Sequence, residues 1–219
     1  RINDRRALKA SDPADESDAV ELEAPEKYVS RGGHKLEHAL AHFGQKVSGE
    51  TAVDFGASTG GFTDCLLQAG AKRVYAVDVG HGQLAWTLRQ DHRVVVMEKT
   101  NARNLAPASF GRDFRPVDLI VIDCSFISLR KVLPPAVPLL RPNGRVIALI
   151  KPQFEAGKAE ADKGGGVITD PAVHARVLDE LRAFVTMELP SLAWQGVTES
   201  PILGPAGNKE FLALLEKVR

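Results

Sequence analysis

The sequence predicts an α/β protein built on a doubly wound, mostly parallel sheet. Three features carry this expectation. Short apolar, β-branched runs alternate with stretches of helical periodicity from Tyr28 onward. One run, Leu119–Asp123 (LIVID), is apolar until its last residue, the composition of a strand covered on both faces. Glycines gather where the first strand gives way to a helix, the place where such sheets bind ligands.

Arg1–Glu26 is polar, charged and without helical periodicity. It is expected to be a linker, or the remnant of a preceding domain, since the chain opens on Arg1 and not on Met. The expected organisation is therefore a linker over residues 1–27 and one folded domain over 28–219. Leu36, Ala39, Leu40 and Phe43 form a helical stripe ended by Gly44. Thr51–Phe55 is a strand, Phe62–Ala69 a helix closed by Gly70, and Arg73–Asp78 a strand. Leu84–Gln90 is a short helix, and Val94–Glu98 and Leu119–Asp123 are strands. Leu129–Leu140 reads as a helix that its prolines bend or break. Pro142-Asn143-Gly144 is a turn before the strand Arg145–Ile150. A loop spans Phe154–Thr169, and Pro171–Thr186 is a helix with proline in its first turn. Trp194–Glu199 and Phe211–Val218 close the sheet as an antiparallel edge hairpin.

With 219 residues, 44% of them hydrophobic, one good-sized core is expected. No apolar run approaches the ~18 residues of a membrane span, and no signal peptide is visible. Cys65 and Cys124 are far apart and in no metal-ligand spacing, so a reduced, cytoplasmic setting and no metal are expected. Cys124 follows a strand-end aspartate, but a small half-buried hydrophobe is the favoured reading over a nucleophile. Net charge is zero; Arg1–Ala10 carries +3 and Ser11–Glu26 seven acids without a base, leaving +4 on Lys27–Arg219. That mild excess is compatible with an RNA partner and does not require one.

The first strand runs into Asp54-Phe55-Gly56-Ala57-Ser58-Thr59-Gly60-Gly61-Phe62. Its G-x-x-x-G-G spacing departs from the G-x-G-x-x-G that cradles a pyrophosphate. Asp54 adds an acid suited to a cationic ligand end. S-adenosylmethionine offers an ammonium and a sulfonium there and has no pyrophosphate. Asp78, ending the second strand, can accept both ribose hydroxyls of an adenosine, from S-adenosylmethionine or from NAD. Asn101, after the third strand, stands where an adenine-facing residue is expected.

Asp123 and Lys151 each end a buried strand and project toward the same crevice. Lys35, at the start of the first helix, and Glu210, at the start of the last strand, are weaker candidates taken singly. The segments YVSRGGHKL, DFGASTGGFTDCLLQAGA, DCSFIS, IKPQFE and GPAGNKEF together resemble the TlyA-type, hemolysin A-like ribosomal RNA methyltransferases of the FtsJ-like 2′-O-methyltransferase group. The resemblance runs from Tyr28 to the C-terminus. It implies the Rossmann-like, seven-stranded sheet of S-adenosylmethionine-dependent methyltransferases. It also implies a catalytic tetrad of Lys35, Asp123, Lys151 and Glu210, and a cofactor site at Asp54, Gly56, Ser58, Thr59, Gly60, Gly61, Phe62, Asp78, Asn101 and Asp123. The implied substrate is a ribose 2′-hydroxyl in the ribosomal RNA of ribosomal particles. Members of the group carry a small N-terminal RNA-binding domain, of which residues 1–27 would be at most the tail.

A ribose hydroxyl is a poor nucleophile near neutral pH and must lose its proton as it attacks a sulfonium methyl. Lys151 is the expected base or orienting group. Lys35 would favour its neutral form by like-charge repulsion, and the two carboxylates would orient the amines. Lys27, Arg31 and His34 are candidates for RNA phosphates, as are Lys158 and Lys163 in a glycine-rich lid. Phe126 or Phe154 is a candidate for stacking on a base. Two other readings stay open: an NAD-dependent oxidoreductase on a similar sheet, and a degenerate, hemolysin-like interaction or pore-forming protein.

Overall fold

The computed structural model describes residues 2–3, 13–20 and 26–218. Of the expected linker, residues 1, 4–12 and 21–25 lie outside the described residues; within it, Ile2 and Val20 form an isolated antiparallel bridge. The folded body opens with α1 (Gly32–His42), β1 (Thr51–Phe55), α2 (Gly61–Gln68), β2 (Arg73–Val77), α3 (Trp86–Arg89) and β3 (Val94–Met97). It continues with β4 (Val117–Ile122), α4 (Leu129–Ala136), β5 (Leu140–Ile150), α5 (Pro152–Glu155) and α6 (Lys158–Lys163). It closes with α7 (Pro171–Glu188), β6 (Leu192–Glu199) and β7 (Phe211–Lys217).

The seven strands form one sheet in the order β3-β2-β1-β4-β5-β7-β6. The five strands from β3 to β5 are parallel, and β7 runs antiparallel to both β5 and β6. Chain order reverses between β1 and β4, which opens a crevice beyond their carboxyl ends. Alternate residues of each strand face opposite layers. Phe55, Ile122 and Ile150 pack with Val132 and Leu133 of α4 and Leu181 of α7. Leu119, Val121 and Leu149 pack on the other side with Leu36 of α1 and Leu66 of α2. Helices on both faces explain why β4 is apolar from Leu119 to Ile122. Among the described residues, no helix is long and apolar enough to cross a membrane.

The structure corrects three local expectations. The helix foreseen over Leu129–Leu140 stops at Ala136, a 3-10 turn covers Val137–Leu139, and Leu140 already belongs to β5. Pro134 and Pro135 remove backbone donors from its last turn, and Pro138, which also lacks an N–H, lies in the 3-10 turn that follows. Pro142-Asn143-Gly144 does not separate elements but lies inside β5 as an irregularity. Val117 pairs with Leu140 and Leu119 with Arg145, so the extra residues bulge out, with Asn143 at φ +59°. The expected loop at 154–169 holds α6 and the second half of α5.

Leu149 is 1% exposed in a strand covered on both faces. Leu149→Ala is expected to lower the unfolding free energy by about 2–5 kcal/mol, measured by chemical denaturation.

Candidate active site

At the crevice, β1 passes into a loop that lies directly against the end of β4. Gly56 has φ +82°, and a Cβ there would sit 2.6 Å from the carbonyl oxygen of Asp123. Only glycine permits both the left-handed turn and this approach. Gly56, Ser58, Thr59 and Phe62 line the cavity beyond the loop. Gly60 and Gly61 do not; they face Leu84 and Leu88, and Ser30 and Gly33, behind it. Those two glycines let the loop and α2 pack closely against their neighbours.

Asp54 is also behind the loop. It is fully buried, its Oδ2 accepts from Thr63 Oγ1 at 2.7 Å, and its Oδ1 has no partner among the described residues. Burial pushes its carboxyl up to about 7, and the nearby acids Asp123 and Asp78 push the same way against the Thr63 hydrogen bond. It lines neither cavity at the crevice.

Asp78 follows β2 and is gripped by two amides. Ser58 N–H donates to its Oδ2 at 2.8 Å and Gly80 N–H to its Oδ1 at 2.6 Å. Each oxygen keeps a further lone pair. Asp78 and Asn101 line a groove of about 460 Å³, and Asn101 Oδ1 accepts from Arg103 N–H at 3.0 Å. Gly56, Ser58, Asp123 and Ser125 are shared between this groove and a second cavity of about 270 Å³.

That second cavity holds all four tetrad candidates. Lys151, just past β5, places Nζ 2.6 Å from Asp123 Oδ1 and donates to Ser125 Oγ at 2.9 Å. Lys35, on α1, places Nζ 2.5 Å from Glu210 Oε2. The Glu210 side chain is 1% exposed, and Gly204 presses against it, where a Cβ would sit 2.5 Å from Oε1. Each lysine thus has its own carboxylate, and the four groups arrive from α1 and from the ends of β4, β5 and β7.

Ser125 and Asn208 are contributors that the sequence did not single out, whereas Phe126 and Phe154 were candidates from the start. Ser125 stood in the Asp-Cys-Ser-Phe run but carried no signal of its own. Phe126 has φ +62°, a conformation that costs a β-carbon-bearing residue roughly 1–2 kcal/mol. Its ring is 91% exposed and lies 5.1 Å from that of Phe154. Both rings line a mostly apolar cavity of about 330 Å³ that also reaches Lys151 and Glu210. Asn208, almost fully buried, ties the glycine-rich segment to the loop that carries Glu210. It accepts from Ile168 N–H at 2.9 Å and donates to the Gly166 carbonyl at 2.8 Å. The Cys124 thiol is pushed up to about 12 by burial and by the neighbouring acids Asp123 and Asp54, which keeps it protonated and inert.

Of the expected phosphate contacts, Arg31 is exposed and lines the tetrad cavity. Lys27 pairs with Glu37, and His34 lies 3.6 Å from the same carboxylate. Lys163 closes α6 as an exposed residue, while the side chain of Lys158 lies outside the described residues.

Asp54 generates a pH prediction. The folded protein holds its carboxyl proton up to about pH 7, whereas the unfolded chain releases it near 3.8. The folded state therefore binds more protons between those values, and this contribution to stability is lost as pH rises through that window. Asp54→Asn is expected to remove the loss, gaining about 2–4 kcal/mol on wild type between pH 4 and pH 8. Urea unfolding at several pH values tests this; a pH-independent difference between the two proteins would sink it.

The sequence model of the FtsJ-like methyltransferase family matches residues 28–217. The chain is 52% identical to the Bacillus subtilis protein YqxC over 188 residues, which covers 86% of this chain and 65% of that relative. It is 44% identical to the 16S/23S rRNA (cytidine-2'-O)-methyltransferase TlyA of Mycobacterium tuberculosis, covering 98% of this chain and 79% of that protein. A solved structure from Lactococcus lactis superposes with a TM-score of 0.82 at 51% identity, covering 87% of this chain and 89% of the other. The N-methyltransferase NodS of Bradyrhizobium japonicum, solved in complex with S-adenosylhomocysteine, shares the fold alone, at TM-score 0.57 and 18% identity over 87% of this chain and 88% of NodS. With the family model spanning nearly all of the folded body, the chain belongs to the FtsJ-like methyltransferase family.

Proposed function

We propose that this chain transfers a methyl group from S-adenosylmethionine to a ribose 2′-hydroxyl of ribosomal RNA. The observation that carries the reading is the meeting of Lys35, Asp123, Lys151 and Glu210 beside the groove headed by Asp78. The name of the mycobacterial relative supports ribose 2′-oxygen as the acceptor and ribosomal RNA as the substrate.

The groove's residues fit the cofactor. Asp78 has lone pairs left for two ribose hydroxyls, Asn101 lies along the same groove toward the adenine end, and Asp123 brings negative charge to the cationic end. When bound, S-adenosylmethionine supplies an electrophilic methyl whose carbon–sulfur electron pair leaves with sulfur. Lys151, as the neutral amine, takes the hydroxyl proton, and Asp123 holds that amine in place and balances the ammonium that results. Lys35 and Glu210 wall the other side as a pre-formed ion pair, so the acceptor oxygen meets donors already oriented. Phe126 and Phe154 offer faces for the target base, and Arg31 offers a charge for a flanking phosphate. In this reading residues 28–219 are the methyltransferase domain, residues 1–27 lead into it, and the protein works in the cytoplasm on ribosomal particles.

The test uses labelled methyl donor and ribosomal particles lacking the modification, with the labelled nucleotide mapped. Wild type is expected to label one or a few ribose 2′-oxygens; label on a base, or none, overturns the reading. Lys151→Ala is expected to cut turnover by about 10²–10⁴ while calorimetry finds S-adenosylmethionine affinity nearly unchanged. A Lys151→Ala protein with wild-type turnover would remove Lys151 from the chemistry. Gly56→Ala is expected to weaken cofactor binding by about tenfold or more, equivalent to about 1.4 kcal/mol, and to lower the melting temperature.

A further inference from the structure

We infer that Ser125 is a positioning residue that aims the amine of Lys151 at the acceptor oxygen; the inference rests on the methyl-transfer reading above. A lysine nitrogen has three directions besides its bond to Cε. Asp123 Oδ1 takes one at 2.6 Å and Ser125 Oγ takes another at 2.9 Å. A neutral amine carries two hydrogens and one lone pair. With Asp123 alone, the second hydrogen and the lone pair can exchange places, and half of the arrangements turn the lone pair away from the substrate. With Ser125 Oγ accepting the second hydrogen, as it accepts from Nζ here, the lone pair is left in the one direction that neither partner occupies.

The backbone supports this role. Ser125 is held between Asp123, whose carbonyl packs on Gly56, and Phe126, whose left-handed φ of +62° reverses the chain. Ser125 also lines all three cavities: the groove of Asp78, the tetrad cavity, and the apolar cavity of Phe126 and Phe154. It stands where methyl donor, base and acceptor nucleoside would meet. In the step itself the 2′-oxygen bonds the methyl carbon, the carbon–sulfur pair stays with sulfur, and the hydroxyl proton passes to Nζ of Lys151. The positive charge lost from sulfur reappears on Lys151, whose ammonium then donates to Asp123, Ser125 and the product oxygen.

The full chain is tested as Ser125→Ala and Ser125→Thr, with unmodified ribosomal particles as substrate. Ser125→Ala is expected to lower kcat by about ten- to hundredfold, with KM for the particles, S-adenosylmethionine affinity and melting temperature nearly unchanged. Ser125→Thr, which keeps the hydroxyl, is expected to restore most of the rate. A readout independent of activity is the pair of Hε protons of Lys151 in lysine-labelled protein, assigned with Lys151→Met. They are expected to be distinct in wild type and Ser125→Thr and to merge in Ser125→Ala. Wild-type kcat in Ser125→Ala, or equal loss in the alanine and threonine variants, overturns the inference. If wild type methylates no RNA while the Hε protons still merge in Ser125→Ala, the positioning stands and the functional reading falls.

Discussion

Phe211 lies opposite Ile150 in the antiparallel ladder, so β7 begins where β5 ends. Everything at the site depends on that reversal. In a wholly parallel sheet the residue before β7 would emerge at the far edge, a strand's length from Lys151. Because β7 runs backward, Glu210 enters the crevice from its start, while Asp123 and Lys151 enter from the ends of β4 and β5. The parallel registers of β1, β4 and β5 align those ends. α1, packed over the same face, then needs only to direct Lys35 toward Glu210.

Charge at the crevice is balanced pairwise. Two lysines placed together repel, and each meets one carboxylate that offsets its charge whenever the amine is protonated. A buried pair such as Lys35–Glu210 does not by itself stabilise the fold, because desolvating both ions costs as much as their attraction returns. Its value is orientation: two groups held in place before substrate arrives need no reorganisation during reaction. The acids Asp54, Asp78 and Asp123 cluster at the neighbouring loop. Burial raises the Asp54 carboxyl to about 7, so near neutral pH it adds less than a full charge to that cluster.

The elements above the site are tethered to it. Asn208 joins the segment around Gly166 to the Glu210 loop. His174 of α7 contacts the Ile168 carbonyl at 3.0 Å, and Glu155 accepts from Ser128 Oγ and Leu129 N–H at the head of α4. The apolar cavity beside Phe126 and Phe154 therefore has one wall built from the same loop that holds Glu210. Movement of that wall would be felt by the Lys35–Glu210 pair.

The sequence by itself determined the alternation of strands and helices, the glycine turn after β1, and the acids and lysine that end β2, β4 and β5. These are local properties: periodicity, β-branching and a charge at the end of an apolar run report on a few neighbouring residues. The edge hairpin was legible as two strands, and the tetrad only through motifs scattered across the chain. Tertiary structure alone decided which groups meet. It put Asp54 behind the loop, because the pleat turns alternate residues of β1 away from the crevice, and it set Gly60 and Gly61 against Leu88 and Ser30 where α2 begins. It ended α4 early and bulged β5 to keep register with β4. It brought in Ser125, Gly204 and Asn208, whose roles come from partners at least 26 residues away, or from a single close approach of backbone to carboxylate. Such contacts are set by how layers pack, and no stretch of sequence carries that information on its own.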